Sequence, residues 1–284
     1  MKFVHTFWSK PFLNNKFNDK NTLLEVILSD YAYSVACIKH FGHTIRLFTD
    51  SYGKKLLGYI PYDDIVVMND LDDENINFAA QIKFKALEQM SIDEYLIDGD
   101  LFLRGPLVYS HINSMNSDCI YSFFEPEEFT KRSKSHTKYF IDLKEIVAKH
   151  NDELEDIYKI QENVTFDWTN TSFLKFNNEE LKRIYVAQYW KNKKLVENEQ
   201  YGEIWPDIWL EQKNLTSLLK NSDYTNSPVI YGYPSEAAEM YAQLLGFVHL
   251  GADKVGCKDL IFEWFKNLDS GLCQKTLQQI EKYK

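Results

Sequence analysis

The sequence has 284 residues and 44% of them are hydrophobic, so the chain is long enough to bury the core of one large domain. The formal net charge is −10, and this acidity excludes nonspecific nucleic-acid binding, which requires a basic surface. A compact anionic ligand stays compatible with this charge if a metal ion offsets it locally. Aromatic residues reach 15%, which fits either a bulky core or a cleft whose rings stack on sugars and bases.

The cysteines and the hydropathy pattern indicate the cellular compartment in which the protein is expected. Cys37, Cys119, Cys257 and Cys273 form no C-x-x-C pair and no zinc-type spacing, which predicts reduced, mostly buried thiols in a cytoplasmic protein. The sequence has no apolar run of about 18 residues, and its first residues are too interrupted for a signal peptide. We therefore expect a cytoplasmic protein without a transmembrane segment. The lysine-rich stretch from Lys275 to Lys284 allows at most a peripheral membrane contact.

The first half of the chain alternates strand and helix patterns. A helix is predicted from Ser29, with Ser29 or Asp30 as its cap, and further elements follow the same alternation. The predicted strands are Phe3–Phe7, Thr44–Thr49, Ile65–Met68 and Glu94–Leu103, and the predicted helices are Ser29–Phe41 and Phe78–Met90. This order predicts an α/β fold with a mostly parallel central sheet and helices on both faces. Ligands of such sheets bind at the carboxyl ends of the strands, where Asp50, Asn69 and Asp98–Asp100 are expected.

The second half is less regular. The predicted elements are strands at Cys119–Phe124 and Phe166–Phe176, and helices at Glu179–Trp190, Trp205–Leu219 and Ala237–Phe247. Residues 126–162 are polar and charged, which predicts a helical insertion or, alternatively, a flexible excursion. No linker rich in Pro, Gly or Ser divides the chain, so residues 1–284 are expected to form a single domain.

Asp98, Gly99 and Asp100 follow the apolar run Tyr95-Leu96-Ile97. Two carboxylates one residue apart at the end of a strand can turn toward one point, because the glycine lets the backbone bend. Hard oxygen ligands of this kind suit Mg²⁺ or Mn²⁺, which usually also bind substrate phosphates. The triplet therefore predicts a metal site, and an acidic surface turn is the simpler alternative.

A second candidate segment runs from His249 to Lys254. A neutral imidazole can supply a third metal ligand, Gly251 permits a close backbone approach, and Lys254 offers a charge for a diphosphate. The alternative is an ordinary histidine between a helix and a loop.

Together these motifs resemble the GT-A glycosyltransferases of the glycogenin and lipopolysaccharide-galactosyltransferase type. That family has a Y-L-D-x-D strand and a late H-x-x-G-x-K segment, and here Gly251 follows His249 by two residues instead of three. The resemblance implies a single GT-A (Rossmann-like) domain, in which residues 1–125 form a nucleotide-binding half and residues 126–284 an acceptor-side half. It also implies that Asp98, Asp100 and His249 hold Mn²⁺ or Mg²⁺, and that Lys254 touches the diphosphate.

The resemblance assigns further candidate residues. Thr6, Trp8 and Asp50 fall where the family holds the nucleotide, and a position in the core is an equal alternative for Trp8. Lys83, or alternatively Lys85, falls where a basic residue reaches the donor, and the alternative for Lys83 is a solvated side chain. Asn170 lies in a segment like the family strand that faces the donor sugar, although an ordinary polar strand is an equal alternative. The candidates near the reaction centre are Glu211, Gln212 and Asp207, and a solvated helix face is their alternative.

The resemblance implies transfer of a sugar from a nucleotide-diphosphate sugar, a UDP-sugar above all, to the hydroxyl of a carbohydrate or lipid-linked acceptor. It also implies a hexosyltransferase that retains anomeric configuration, and a role in bacterial polysaccharide or glycoconjugate synthesis. If the enzyme inverts instead, Glu211 or Asp207 would serve as the base. The alternatives are a nucleotidyltransferase of sugar activation, which normally has a Gly-rich phosphate loop, and a noncatalytic carbohydrate-binding protein.

Overall fold

A computed structural model describes residues 1–14, 19–71, 74–76, 78–125, 168–198, 209–250 and 255–284. The strands are β1 (Lys2–Phe7), β2 (Thr44–Thr49), β3 (Asp64–Val67), β4 (Glu94–Ile97), β5 (Leu101–Leu103), β6 (Cys119–Glu125), β7 (Trp168–Phe176), β8 (Asn226–Ile230) and β9 (Phe247–His249). The helices are α1 (Ser9–Leu13), α2 (Lys20–His40), α3 (Ser51–Leu57), α4 (Gln81–Gln89), α5 (Pro106–Asn113), α6 (Glu179–Val196), α7 (Asn214–Lys220), α8 (Glu236–Leu245), α9 (Lys258–Leu268) and α10 (Ser270–Tyr283). A 3₁₀ turn covers Asn69–Leu71, and a π-helical turn covers Trp209–Lys213.

The chain divides into two compact units. The first comprises Met1–Glu74, Asp93–Ser114 and Tyr241–Lys284, and the second comprises Asn75–Ile92 and Met115–Met240.

The first unit contains four parallel strands in the order β3-β2-β1-β4. Phe3, Val4, Leu47 and Phe48 on β1 and β2 are almost completely buried, as expected for strands covered on both faces. The long helix α2 belongs to the same core, where the ring of Tyr33 lies 4.9 Å from that of Phe102.

The second unit contains β6 between β7 and β8. Strand β6 pairs antiparallel with β7 and parallel with β8. The pairing of β6 with β7 has a register shift between Tyr121 and Phe123. All nine residues of β7 are buried. The core of this unit includes the stacked rings of Phe84 and Tyr189, whose centroids lie 3.6 Å apart. The predicted α/β class with mostly parallel strands is thus confirmed.

The prediction for α2 was wrong at its first residue. The helix begins after Asp19, whose carboxylate accepts a hydrogen bond from the backbone N–H of Thr22 at 2.9 Å. This cap lies well before Ser29 and Asp30, which are buried inside the helix. Gly42 follows the helix with φ +75°, a left-handed conformation that glycine adopts readily, so the predicted end is confirmed.

The predicted strand Glu94–Leu103 was also wrong, because it consists of two separate strands. Strand β4 ends at Ile97, and β5 begins at Leu101 after the turn that contains Asp98 and Asp100. The two strands have different partners: β4 pairs parallel with β1, whereas β5 pairs antiparallel with β9. The interruption frees residues 98–100 from sheet pairing and makes their side chains available for a site.

Candidate metal centre

The two aspartates lie on a tight turn after a buried strand. Leu96 and Ile97 at the end of β4 are almost fully buried and fix the position at which the turn begins. The backbone N–H of Leu101 donates to the carbonyl of Asp98 at 3.1 Å, which closes the turn. The side chain of Asp100 is buried and that of Asp98 is half-buried. Both carboxylates thus lie directly after the carboxyl end of a parallel strand, as the sequence predicted.

The pairing of β5 with β9 brings His249 to the same turn. His249 stands opposite Leu101 in the register, and the backbone N–H of Leu250 donates to the carbonyl of Asp100 at 3.3 Å. As a result, the Nε2 atom of His249 lies 3.6 Å from the Oδ2 atom of Asp100.

Asp98, Asp100 and His249 form a candidate metal centre. One ligand atom from each residue can be chosen so that all three atoms lie within 4.8 Å of one another. Metal–oxygen bonds of about 2.1 Å place ligand atoms roughly 3 to 4 Å apart around one ion, so small side-chain rotations would let all three reach it. Two carboxylate oxygens and one imidazole nitrogen are a donor set that suits a divalent cation. Within the described ranges, no second group of this kind is found.

The sequence reasoning missed Tyr31, which lies against this turn. Its hydroxyl donates to the carbonyl of Thr6 at 2.6 Å, and its ring lies beside Gly99. Burial raises the pKa of the Tyr31 hydroxyl well above its usual value, and the nearby carboxylates of Asp98 and Asp100 raise it further. The hydroxyl therefore stays protonated and keeps its role as a donor.

The buried His5 on β1 is connected to the turn of Asp98 and Asp100 through Ser34. The ring of His5 is fully buried, with Nδ1 at 2.9 Å from the hydroxyl of Tyr62 and Nε2 at 3.1 Å from the hydroxyl of Ser34. Ser34 in turn donates to the carbonyl of Leu101 at 2.8 Å. Burial lowers the pKa of His5 to about 3, so the ring is neutral at physiological pH.

Three candidates for nucleotide contacts lie at the ends of β1 and β2. The side chains of Thr6 and Trp8 are buried, and the indole N–H of Trp8 has no hydrogen-bond partner among the described residues. Asp50 caps α3 by accepting from the N–H of Gly53 at 2.9 Å, and it also accepts from the hydroxyl of Ser9. These contacts favour a structural role for Asp50, and the nucleotide roles of all three residues stay predictions.

Lys83 and Glu211 are paired in the second unit. The ammonium of Lys83 lies 2.7 Å from Oε1 of Glu211, and the hydroxyl of Thr171 donates to the same oxygen at 2.5 Å. Both charged side chains are mostly buried, with 15% and 10% of their surface exposed. The hydroxyl of Tyr185 donates to the backbone carbonyl of Glu211 at 3.0 Å, which holds the π-helical turn in place. The solvated helix face considered for Glu211 does not agree with this burial, because its carboxylate forms an enclosed ion pair.

Two other candidates of the second unit have different surroundings. The amide of Asn170 is engaged on both sides, since it donates to Glu125 at 2.9 Å and accepts from the N–H of Ser172 at 3.0 Å. Gln212 is half-buried directly after Glu211. Asp207, Gly251 and Lys254 lie outside the described residues, as does the insertion predicted at residues 126–162.

Comparison with known proteins gives a family model that matches part of the chain, and several similar solved structures. A model described as "Family of unknown function (DUF6734)" matches residues 1–128, a range that includes Asp98 and Asp100. Curated proteins give no significant match. One similar solved structure is the galactosyltransferase LgtC with donor and acceptor sugar analogs, at 12% identity and a TM-score of 0.36, covering 75% of this chain and 72% of that chain. An active-site mutant of LgtC is similar at 10% identity and a TM-score of 0.41, covering 89% of this chain and 98% of that chain.

At such low identities and TM-scores, the activity has to be argued from the site itself.

All four cysteines are free thiols. Among the described residues, no helix combines the length and the apolar character that a membrane span requires.

Proposed function

We propose that the protein is a metal-dependent glycosyltransferase of the GT-A type. The observation that carries the proposal is the convergence of Asp98, Asp100 and His249 on one point at the end of β4. A divalent ion bound there would neutralise the negative charge that develops on a leaving diphosphate. The substrate would be a nucleotide-diphosphate sugar, a UDP-sugar in the first place, and a hexosyl group would pass to an acceptor hydroxyl.

Mn²⁺ is the ion that we propose. The buried carboxylate of Asp100 and the half-buried carboxylate of Asp98 supply hard oxygen ligands. The imidazole of His249 favours a transition metal over Mg²⁺, which prefers oxygen ligands and retains several waters. The chain's own contribution is to hold the three donors together on one turn and one short strand. Lys254, with Gly251 beside it, is proposed to contact the diphosphate.

We propose that Glu211 and Gln212 contact the donor sugar. The carboxylate of Glu211 is held by Lys83 and Thr171, so its direction is fixed by two hydrogen bonds. A carboxylate held in this way suits the hydroxyl groups of a sugar, or a proton taken from an acceptor if the reaction inverts. Asp207 stays the second candidate for that base, and retention of configuration stays the prediction from the family resemblance.

The partners follow from the proposed reaction. The acceptor is proposed to be a carbohydrate or a lipid-linked carbohydrate. We propose that the reaction belongs to the synthesis of a bacterial polysaccharide or glycoconjugate in the cytoplasm. The net charge of −10 supports a role for the metal, because an acidic protein repels an anionic donor and a bound cation would offset this repulsion locally.

Calorimetry with UDP, with and without Mn²⁺, tests this proposal. We expect UDP to bind at least about 10-fold more tightly with Mn²⁺, and this gain should disappear in Asp98→Asn, because two-carboxylate sites hold such ions together with substrate phosphates. Asp93→Asn is the matched control, since Asp93 is an exposed carboxylate on the same segment that pairs with Lys2. The proposal is wrong if UDP does not bind. It is also wrong if the wild type and Asp98→Asn bind UDP with the same affinity whether or not Mn²⁺ is present.

A further inference from the structure

The ring of Tyr31 occupies the space where a side chain at position 99 would lie. A Cβ atom built on Gly99 would be 2.3 to 2.6 Å from three carbon atoms of this ring, which is closer than real Cβ contacts. The requirement for glycine between the two metal-binding aspartates therefore comes from this close approach. Tyr31 belongs to α2, far from the turn in sequence, and no motif connects the two positions.

Tyr31 is itself held in place from β1. Its hydroxyl donates to the carbonyl of Thr6 at 2.6 Å, and its ring meets the rings of Phe7 and His5 edge to face, with centroids 5.4 and 5.2 Å apart. A ring that is anchored at its hydroxyl and packed by two neighbours presents a fixed surface to Gly99.

The same face of α2 holds the other end of the turn. Ser34, three residues after Tyr31 and therefore on the same side of the helix, donates to the carbonyl of Leu101 at 2.8 Å. The turn is thus supported at Gly99 by a ring and at Leu101 by a hydroxyl.

We propose that Tyr31 is a positioning residue for the metal centre. Asp98 and Asp100 flank the glycine that lies against the ring, so the ring sets the path of the backbone between them and hence the directions of both carboxylates. Metal affinity depends on such supporting contacts, because ligands that are already oriented lose little freedom on binding. The inference rests on the proposed function only in that the centre binds a divalent ion.

Titration of the protein with Mn²⁺ alone tests this role, with affinity followed by calorimetry and the ligand environment by electron paramagnetic resonance. Tyr31→Leu should weaken Mn²⁺ binding by roughly 10-fold or more, as loss of supporting contacts does at other metal sites. Tyr31→Phe keeps the ring but loses the anchor on Thr6, so its effect should be smaller and its resonance spectrum broader than that of the wild type. Tyr59→Phe is the matched control, because it removes a tyrosine hydroxyl that lies 3.1 Å from the hydroxyl of Thr276 in the same unit. Its Mn²⁺ affinity should equal that of the wild type.

A double-mutant cycle tests the contact directly. Gly99→Ala should weaken Mn²⁺ binding in the wild type and much less in the Tyr31→Leu background, where a flexible side chain replaces the rigid ring. Circular dichroism and metal-free thermal unfolding establish that each variant is folded, and Tyr31→Phe retains the packing that folding requires.

Two outcomes overturn the inference: wild-type Mn²⁺ affinity in both folded Tyr31 variants, or independent effects of Gly99→Ala and Tyr31→Leu. A wild type that binds no Mn²⁺ overturns the proposed function as well. Normal Mn²⁺ binding with no binding of UDP overturns the proposed function and leaves the positioning role to be decided by the Tyr31 variants.

Discussion

The Nε2 atom of His249 lies 3.6 Å from the Oδ2 atom of Asp100, because the short strand β9 pairs antiparallel with β5 immediately after the turn that carries Asp98 and Asp100. The pairing sets His249 opposite Leu101, one residue beyond Asp100. A two-stranded ribbon is thus the means by which a histidine near the end of the chain reaches two aspartates in its first half.

Replacement of His249 tests whether it is a ligand. His249→Ala should weaken Mn²⁺ binding by at least about 10-fold, since even outer-shell partners of a metal site contribute roughly 10- to 100-fold. Calorimetry with Mn²⁺ measures the effect. His40→Ala is the control, because His40 is exposed at the end of α2 and should have no influence on affinity. Equal affinities of the two variants would show that His249 does not bind the ion.

The ion pair of Lys83 with Glu211 should contribute to the stability of the second unit. Lys83→Met leaves the carboxylate of Glu211 buried without its cation, and loss of one partner of a buried pair costs about 3 kcal/mol or more. Lys194→Met, at an exposed position of α6 in the same unit, should change the free energy of unfolding by less than about 1 kcal/mol, as peripheral charges do. Urea unfolding measures both values.

The double variant Lys83→Met/Glu211→Leu distinguishes the net contribution of the ion pair from the cost of leaving one buried charge unpaired. Because both charges are removed together, its destabilisation should be smaller than the sum of the two single changes. Additive effects, or a Lys83→Met protein as stable as the wild type, would contradict the interpretation of this contact as a buried ion pair.

Stability should depend on pH through His5. Burial lowers the pKa of His5 to about 3 in the folded protein, whereas its ordinary value is 6.5. Above that ordinary value neither state binds the proton, so stability is at its full level there. As pH falls from 6.5 toward about 3, only the unfolded state gains the proton, and stability is lost.

Between pH 8 and pH 5 this loss should amount to about 2 kcal/mol, at about 1.4 kcal/mol for each pH unit below the unfolded pKa. The measurement is urea unfolding at both pH values. His5→Gln should remove this part of the pH dependence even if its stability is lower throughout, and the exposed His40→Gln should retain it. An identical pH dependence in the wild type and His5→Gln would show that His5 is not held neutral.

The sequence predicted the first two strands and the position of Asp98 and Asp100 at the end of a strand, because these features depend on local patterns. The apolar run before Asp98 is itself the signal of a buried strand, and the two carboxylates must follow where it ends. His249 was a candidate ligand from its own segment, but only the family resemblance joined it to the two aspartates, since the β5–β9 pairing that brings it to the turn joins distant segments.

The remaining features depend on contacts that a local pattern does not contain. The approach of Tyr31 to Gly99 and the ion pair between Lys83 and Glu211 both join residues that are far apart in the chain. The start of α2 differs from the prediction for another reason: its cap, Asp19, follows a polar, Asn-rich stretch whose composition is typical of a loop.

The most direct test of the central claim is turnover of a nucleotide-sugar donor. The purified protein is incubated with separate UDP- and GDP-sugars in the presence of Mn²⁺, and release of the nucleoside diphosphate is measured as slow donor hydrolysis. We expect release from at least one donor, a UDP-sugar above all, and no release when Mn²⁺ is removed or when Asp98 and Asp100 are both replaced by Asn. Release that continues unchanged in that double variant, or its absence with every donor in a wild-type protein shown to bind Mn²⁺, would contradict a metal-dependent glycosyltransferase.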